Sequence, residues 1–276
     1  MDCMFTGETA DTEEHVLPKW LQARFNLWNQ RIVLPNGTSL PYRQFTVPVA
    51  SQHNSRFATI EQNISSRRYD INELYLWALK IHIGFIFRDA SLKMNRSVLA
   101  SPSILNIGNF ASEIALFQQL YSLWSQGGST DPSPFGSVFL TNSLFGNNSF
   151  DLFHCLITGA LGVNLGDCFV LVFFWDQGDA LSSNIKMQWD EYHSKLPGYS
   201  GGLDKPAFAY MAHHVWACES AYSSYRRRRS FNFIKTKDKI MLIPPLNRVP
   251  PKEMNQKDMK KCARVLDLCL RSTMEK

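Results

Sequence analysis

The chain has 276 residues, 45% of them hydrophobic and 19% charged, and a net charge of +5. That length allows one large domain or two ordinary ones, and the balance excludes a disordered or fibrous chain. The basicity, with a pI near 8.9, is compatible with a polyanionic partner without requiring one.

In chain order, Pro18 sits where a helix can start, because its missing N–H would be unpaired there anyway, and Lys19 to Phe25 follow as that helix. Arg31 to Pro35 and Tyr42 to Val47 flank the dipeptide Asn36-Gly37. Both of those residues tolerate positive φ, so the spacing predicts a hairpin. Pro35 and Pro41 make it an edge or irregular one. Gln52 to Ile64 form a predicted helix with Phe57, Ile60 and Ile64 on one face. A polar stretch, Ser65-Ser66-Arg67-Arg68, then separates it from a second helical pattern over about residues 72–94, carried by Leu74, Trp77, Ile81 and Phe85.

A further helix is predicted from Ala111 to Trp124, stopping at Gly127-Gly128. Strand-like runs follow at Ser137–Thr141, Phe150–Thr158 and Cys168–Trp175. The last of these is the most apolar run and falls far short of the roughly 20 residues that span a bilayer. A helix from Pro206 to Tyr225, a short strand near Ile240–Ile243 and a helix from Glu253 to Thr273 complete the expectation. The whole reads as α+β, with residues 1–68 as one module and 69–276 as a larger α+β body. The six cysteines, Cys3, Cys155, Cys168, Cys218, Cys262 and Cys269, form no C-x-x-C pair. Most lie in apolar surroundings, which argues against a disulfide framework and for a reducing, cytoplasmic setting without a secretory signal.

Two segments carry chemistry. In Thr12-Glu13-Glu14-His15-Val16-Leu17-Pro18 an acid directly precedes a histidine. The carboxylate can hold a divalent cation, and the imidazole can take a proton from water because its pKa lies near neutrality. Neighbouring side chains on a strand point in opposite directions, so the backbone must twist for both to serve one site. In Val47-Pro48-Val49-Ala50-Ser51-Gln52-His53-Asn54 the last residue falls at the opening of a helix. Its amide oxygen suits an oxygen-loving ion such as Mg²⁺ there, and equally suits a helix N-cap.

This order, Glu-His, a proline-containing helix or loop, a strand ending Val-Pro and an asparagine at a helix start, resembles the HNH (ββα-metal) endonuclease superfamily. It is most similar to bacterial members reading E-H-x-x-P-K-W-L and then Y-R-Q-x-x-V-P. The resemblance covers under a quarter of the chain. It implies His15 as general base, with Glu14 and Asn54 binding one Mg²⁺ or Mn²⁺. A second register makes Asn54 the middle asparagine and Asn63 the metal ligand, and Glu61 is a third candidate. The positions that match the structural-zinc cysteines of many such modules read Cys3, Thr6, Ala50 and His53. A structural zinc needs four ligands, so none is expected.

The densest charge feature is Tyr225-Arg226-Arg227-Arg228-Arg229, in which arginines can neutralise phosphates and the aromatic can stack on a base. Cations also suit the end of the preceding predicted helix. His213, His214 and Glu219 are spaced poorly for a shared metal, and His154 and His193 belong to no motif recognisable in the sequence. No P-loop, G-x-G-x-x-G or G-x-S-x-G is present.

The expectation is a metal-dependent endonuclease hydrolysing DNA, with RNA as the alternative substrate. The C-terminal body would place substrate, take a protein partner, or keep the nuclease off until triggered, and no membrane is involved. A defence setting is common for such modules. The alternative is an inactive HNH-derived protein that binds nucleic acid or protein.

Overall fold

A computed structural model describes residues 2–142, 150–156, 159–176, 178 and 232–243 of the chain. Helices and strands are mixed, so the fold is α+β. Two compact units divide it: Met1–Pro134 with Phe233–Met241, and Phe135–Asn232 with Leu242–Lys276. The join expected near residue 68 therefore falls inside the first unit.

That unit begins with β1 (Thr12–His15), α1 (Lys19–Arg24), β2 (Arg31–Val33), β3 (Ser39–Pro41), β4 (Thr46–Val49) and α2 (Ser51–Ser65). Pro18 stands immediately before α1, as expected. The Asn36-Gly37 hairpin forms, with Gly37 at φ +77° and Ile32 opposite Leu40. Its second strand is Ser39–Pro41, however. Tyr42–Gln44 is a short 3-10 turn, and Thr46–Val49 pairs with β1 instead. The 3-10 turn uncouples the two pairings, so β4 is free to lie against β1, with Glu14 opposite Val47 and His15 opposite Thr46.

Helix α2 follows β4 directly and buries Phe57, Ile60 and Ile64, the predicted face. Its N-cap is Ala50 rather than Asn54, and no side chain of its own caps it. The Asp11 carboxylate does so from a distance, accepting from the Ser51 backbone N–H at 2.7 Å and the Ser51 hydroxyl at 2.9 Å. Those bonds favour the ionised form and hold the Asp11 pKa below the usual carboxylate value.

Helix α3 (Ile71–Ser91) is capped by Asp70, whose side chain accepts from the Asn72 and Glu73 N–H groups. Residues 74–86 of α3 are buried all round, the pattern of a helix at the centre of a unit. Helix α4 (Ala111–Ser125) ends before Gly127, at φ +73°. Phe5, Phe57, Phe117, Tyr121 and Trp124 form one aromatic cluster across the N-terminal turn, α2 and α4. Trp20 stacks on Trp77 of α3. A short parallel pair, β5 (Ser129–Asp131) with β11 (Lys239–Ile243), closes this part of the chain, and β10 (Asn232–Lys235) pairs beside β11.

Gly84 of α3 faces Val16, the residue after His15, and a Cβ there would lie 2.9 Å from Val16 Cγ1. Glycine is what lets the end of β1 approach the helix. Gly84→Ala should lower stability by about 1–3 kcal/mol through overpacking, against roughly 1 kcal/mol that alanine gains in helix propensity. A lower denaturation midpoint is the expected reading, and a raised one would mean Val16 yields freely.

The described part of the second unit is an antiparallel sheet in the order β6 (Ser137–Asn142), β9 (Cys168–Phe173), β8 (Ala160–Asn164), β7 (Leu152–Cys155). The apolar run at Cys168 is β9, one of the two inner strands, as expected for a buried strand. Asp176 anchors one end, accepting from the Ser137 N–H and hydroxyl at 2.9 and 2.6 Å. The helices expected over 206–225 and 253–273 lie outside the described residues. No helix among the described residues is long and apolar enough to cross a membrane.

Candidate functional site

The register of β1 decides how its chemistry is laid out. Residues opposite one another in an antiparallel pair share a face, and successive residues alternate. Glu14 therefore lies on the face of Val47, which is buried, and His15 on the opposite face, that of the half-buried Thr46. The regular register places the two residues on opposite faces of the strand.

On the inner face Glu14 meets a cation, and the cation is a lysine. Lys80, near the middle of α3, is fully buried. Its Nζ donates to Glu14 Oε1 at 2.6 Å, to the His15 backbone carbonyl at 2.7 Å and to Glu61 Oε1 at 3.1 Å. These use all three ammonium protons. The Phe57 ring lies 5.9 Å away. Burial alone would favour neutral lysine, but the charges of Glu61 and Glu14 overcome it and raise its pKa. Burial pushes the Glu61 carboxyl up in turn: Lys80 opposes that shift and the neighbouring Glu14 adds to it. One ammonium thus serves two carboxylates.

Glu14 and Glu61, two of the expected metal ligands, are therefore brought together. Asn54 lies in the first turn of α2, half-buried and seven residues before Glu61 on the same helical stripe. Asn63 is committed elsewhere, its amide donating to both oxygens of Glu73 at 3.0 and 3.2 Å and tying α2 to the first turn of α3. The donor set does not fit one divalent ion. An ammonium already sits between its two carboxylates, and a metal bound to Glu14 would face that charge. Among the described residues no group of three or more His, Cys, Asp or Glu side chains is arranged to hold a metal.

The positions compared with structural-zinc ligands are also adjacent, and ordinary contacts join them. Cys3 Sγ accepts from the Ala50 N–H at 3.2 Å, and its carbonyl accepts from Gly7 N at 2.8 Å with Gly7 at φ +76°. His53 Nδ1 lies 3.1 Å from the Tyr121 hydroxyl and its Nε2 3.5 Å from Glu8.

On the outer face His15 is half-buried and stacks on Trp28, with centroids 5.6 Å apart and planes at 30°. Burial lowers its pKa first, and Lys19 and Lys80 add to this. Glu14 opposes the shift, as does a ring N–H bond to the Arg43 backbone carbonyl. The Trp28 stack and the Arg43 carbonyl orient the imidazole, and the downward shift favours its neutral form, the state a base requires.

The segment between β1 and β4, residues 16–45, carries Lys19, Arg24, Arg31 and Arg43 and no acid, and all four are exposed. This run of cations is a sequence signal that the Glu-His and Asn motifs do not include. Arg226, Arg227, Arg228, Arg229 and Tyr225 lie outside the described residues.

No protein-family model, curated protein or solved structure matches this chain.

Proposed function

We propose that this chain is a nucleic-acid-binding protein on an HNH-type strand–strand–helix scaffold, in which Lys80 replaces the catalytic divalent ion. The observation that carries the reading is the Lys80 ammonium, bonded to both Glu14 and Glu61 in the place where the resemblance implies a metal. What remains on the outer face is a binding surface: His15, Trp28 and the exposed cations of residues 16–45. Cations on such a surface neutralise phosphates and release counterions, so affinity falls steeply with salt.

The test is titration of labelled DNA and RNA with the full chain in chelator, in Mg²⁺ and in Mn²⁺, with cleavage followed in parallel. Binding should persist in chelator, weaken with salt, and produce no cleavage with either metal. The double variant Lys19→Ala/Arg43→Ala should reduce the logarithmic salt slope by about 2, one for each phosphate left without its cation. The second reading, a metal-dependent nuclease, is favoured by the oriented neutral imidazole of His15. Metal-dependent cutting that His15→Ala abolishes would establish it and overturn the first.

A further inference from the structure

We infer that Trp28 is a stacking platform for an unpaired base, so that the nucleic acid this protein prefers is single-stranded. The inference rests on the nucleic-acid reading above and adds to it the form of the ligand. Five tryptophans lie within the described residues, and Trp28 is the exposed one, at 41%. That exposure leaves part of an amphipathic aromatic surface open to a partner.

The loop holds it outward. Its neighbour Leu27 is buried and donates to the Gln22 carbonyl at 2.8 Å, Gln30 N closes back on Leu27 O at 2.8 Å, and Asn26 turns the chain at φ +53°. The Asn29 carboxamide on the other side accepts from the Arg43 guanidinium. One side of the indole is filled by the His15 ring, so the indole is supported rather than loose.

Around it the cations outnumber the acids: Glu13, on the His15 face of β1, is taken up by the Thr46 hydroxyl at 2.7 Å. Lys19 acts electrostatically on His15, and the Arg43 guanidinium bonds the residue next to Trp28. Arg31, bonded to Ser39 through Nε and Nη2, is held three residues further on. A rigid aromatic surface amid cations that track a backbone is the arrangement that binds single strands, where every base offers a face to stack. A duplex keeps its bases stacked on one another and gives Trp28 nothing to receive.

The experiment is fluorescence anisotropy of a labelled oligothymidylate of about twelve nucleotides, within the usual site sizes, against a hairpin duplex of matched charge. It is run on the full chain and on Trp28→Ala and Trp28→Phe. The single strand should bind at least tenfold tighter than the duplex. Trp28→Ala should collapse that ratio toward one, and Trp28→Phe should restore most of it. Circular dichroism melting checks that both variants fold.

A duplex preference, or a ratio that survives Trp28→Ala, overturns the inference and leaves the binding reading standing. Binding to neither ligand overturns both.

Discussion

Replacing Lys80 with methionine should cost this protein about 3–5 kcal/mol, the usual penalty for removing one partner of a buried ion pair. Methionine fills most of the volume, so the loss is electrostatic: Glu14 and Glu61 would keep their charges with no ammonium between them. Burial already raises the Glu61 carboxyl, and without the ammonium that opposes it that shift would grow. Between its unfolded and folded values the folded state binds more protons, so the variant should recover stability as pH falls through the raised Glu61 pKa. The check is a series of urea midpoints for the wild type and Lys80→Met between pH 5 and 8. The gap should be widest at the alkaline end. Glu61→Gln should be mild by comparison, because burial already disfavours that carboxylate. A pH-independent gap would show that packing, not charge, is what Lys80 supplies.

Asp89→Asn should act in the opposite direction, stabilising the protein at pH 7. Asp89 is 3% exposed in the last turn of α3, its Oδ1 has no hydrogen-bond partner among the described residues, and burial raises its pKa to about 6 while Arg88 only partly opposes this. A carboxylate there also meets the negative end of the helix dipole. The unfolded value is 3.8. Between the two values the folded state binds more protons, so wild-type stability falls as pH rises from 3.8 through about 6. The amide escapes that loss. The gain at pH 7 should be on the order of 2 kcal/mol and should vanish near pH 4. Thermal melts of both proteins at the two pH values decide it: a variant less stable at pH 7 would mean that Arg88 pairs the carboxylate.

Much of the local structure is legible in the sequence, because periodicity and turn chemistry act over a few residues. Phe57, Ile60 and Ile64 mark the inner face of α2, Asn36-Gly37 marks a turn, and the run from Cys168 marks a buried strand. Pairing at a distance is not legible in the same way. Turn chemistry points Thr46–Val49 at the nearest strand, whereas its partner β1 lies some thirty residues away. Strand β8, reading Ala-Leu-Gly-Val-Asn, has weak intrinsic strand preference and is held by its two neighbours.

The site divides in the same way. Glu14, His15 and Glu61 stand out from the segment and the helix that carry them. Lys80 does not, although a lysine set in Leu-Tyr-Leu-Trp-Ala-Leu-Lys-Ile-His-Ile must find partners if that helix is buried. Which acids would answer it, 66 and 19 positions away, no local pattern states. The alternation that sends Glu14 inward and His15 outward is elementary, but its consequence depends on which face of β1 meets α2 and α3.

The parallel pair β5 and β11 has a consequence for how the molecule is made. Lys239 reaches back 108 residues to bond Asp131, and Ser129 N donates to the Asp238 carbonyl, which packs where Gly128 leaves room. A ribosome delivers everything else in the first unit long before residues 233–241 emerge. During that interval β5 has no strand beside it, and the nascent unit waits for a strand supplied from the far side of an inserted stretch of chain.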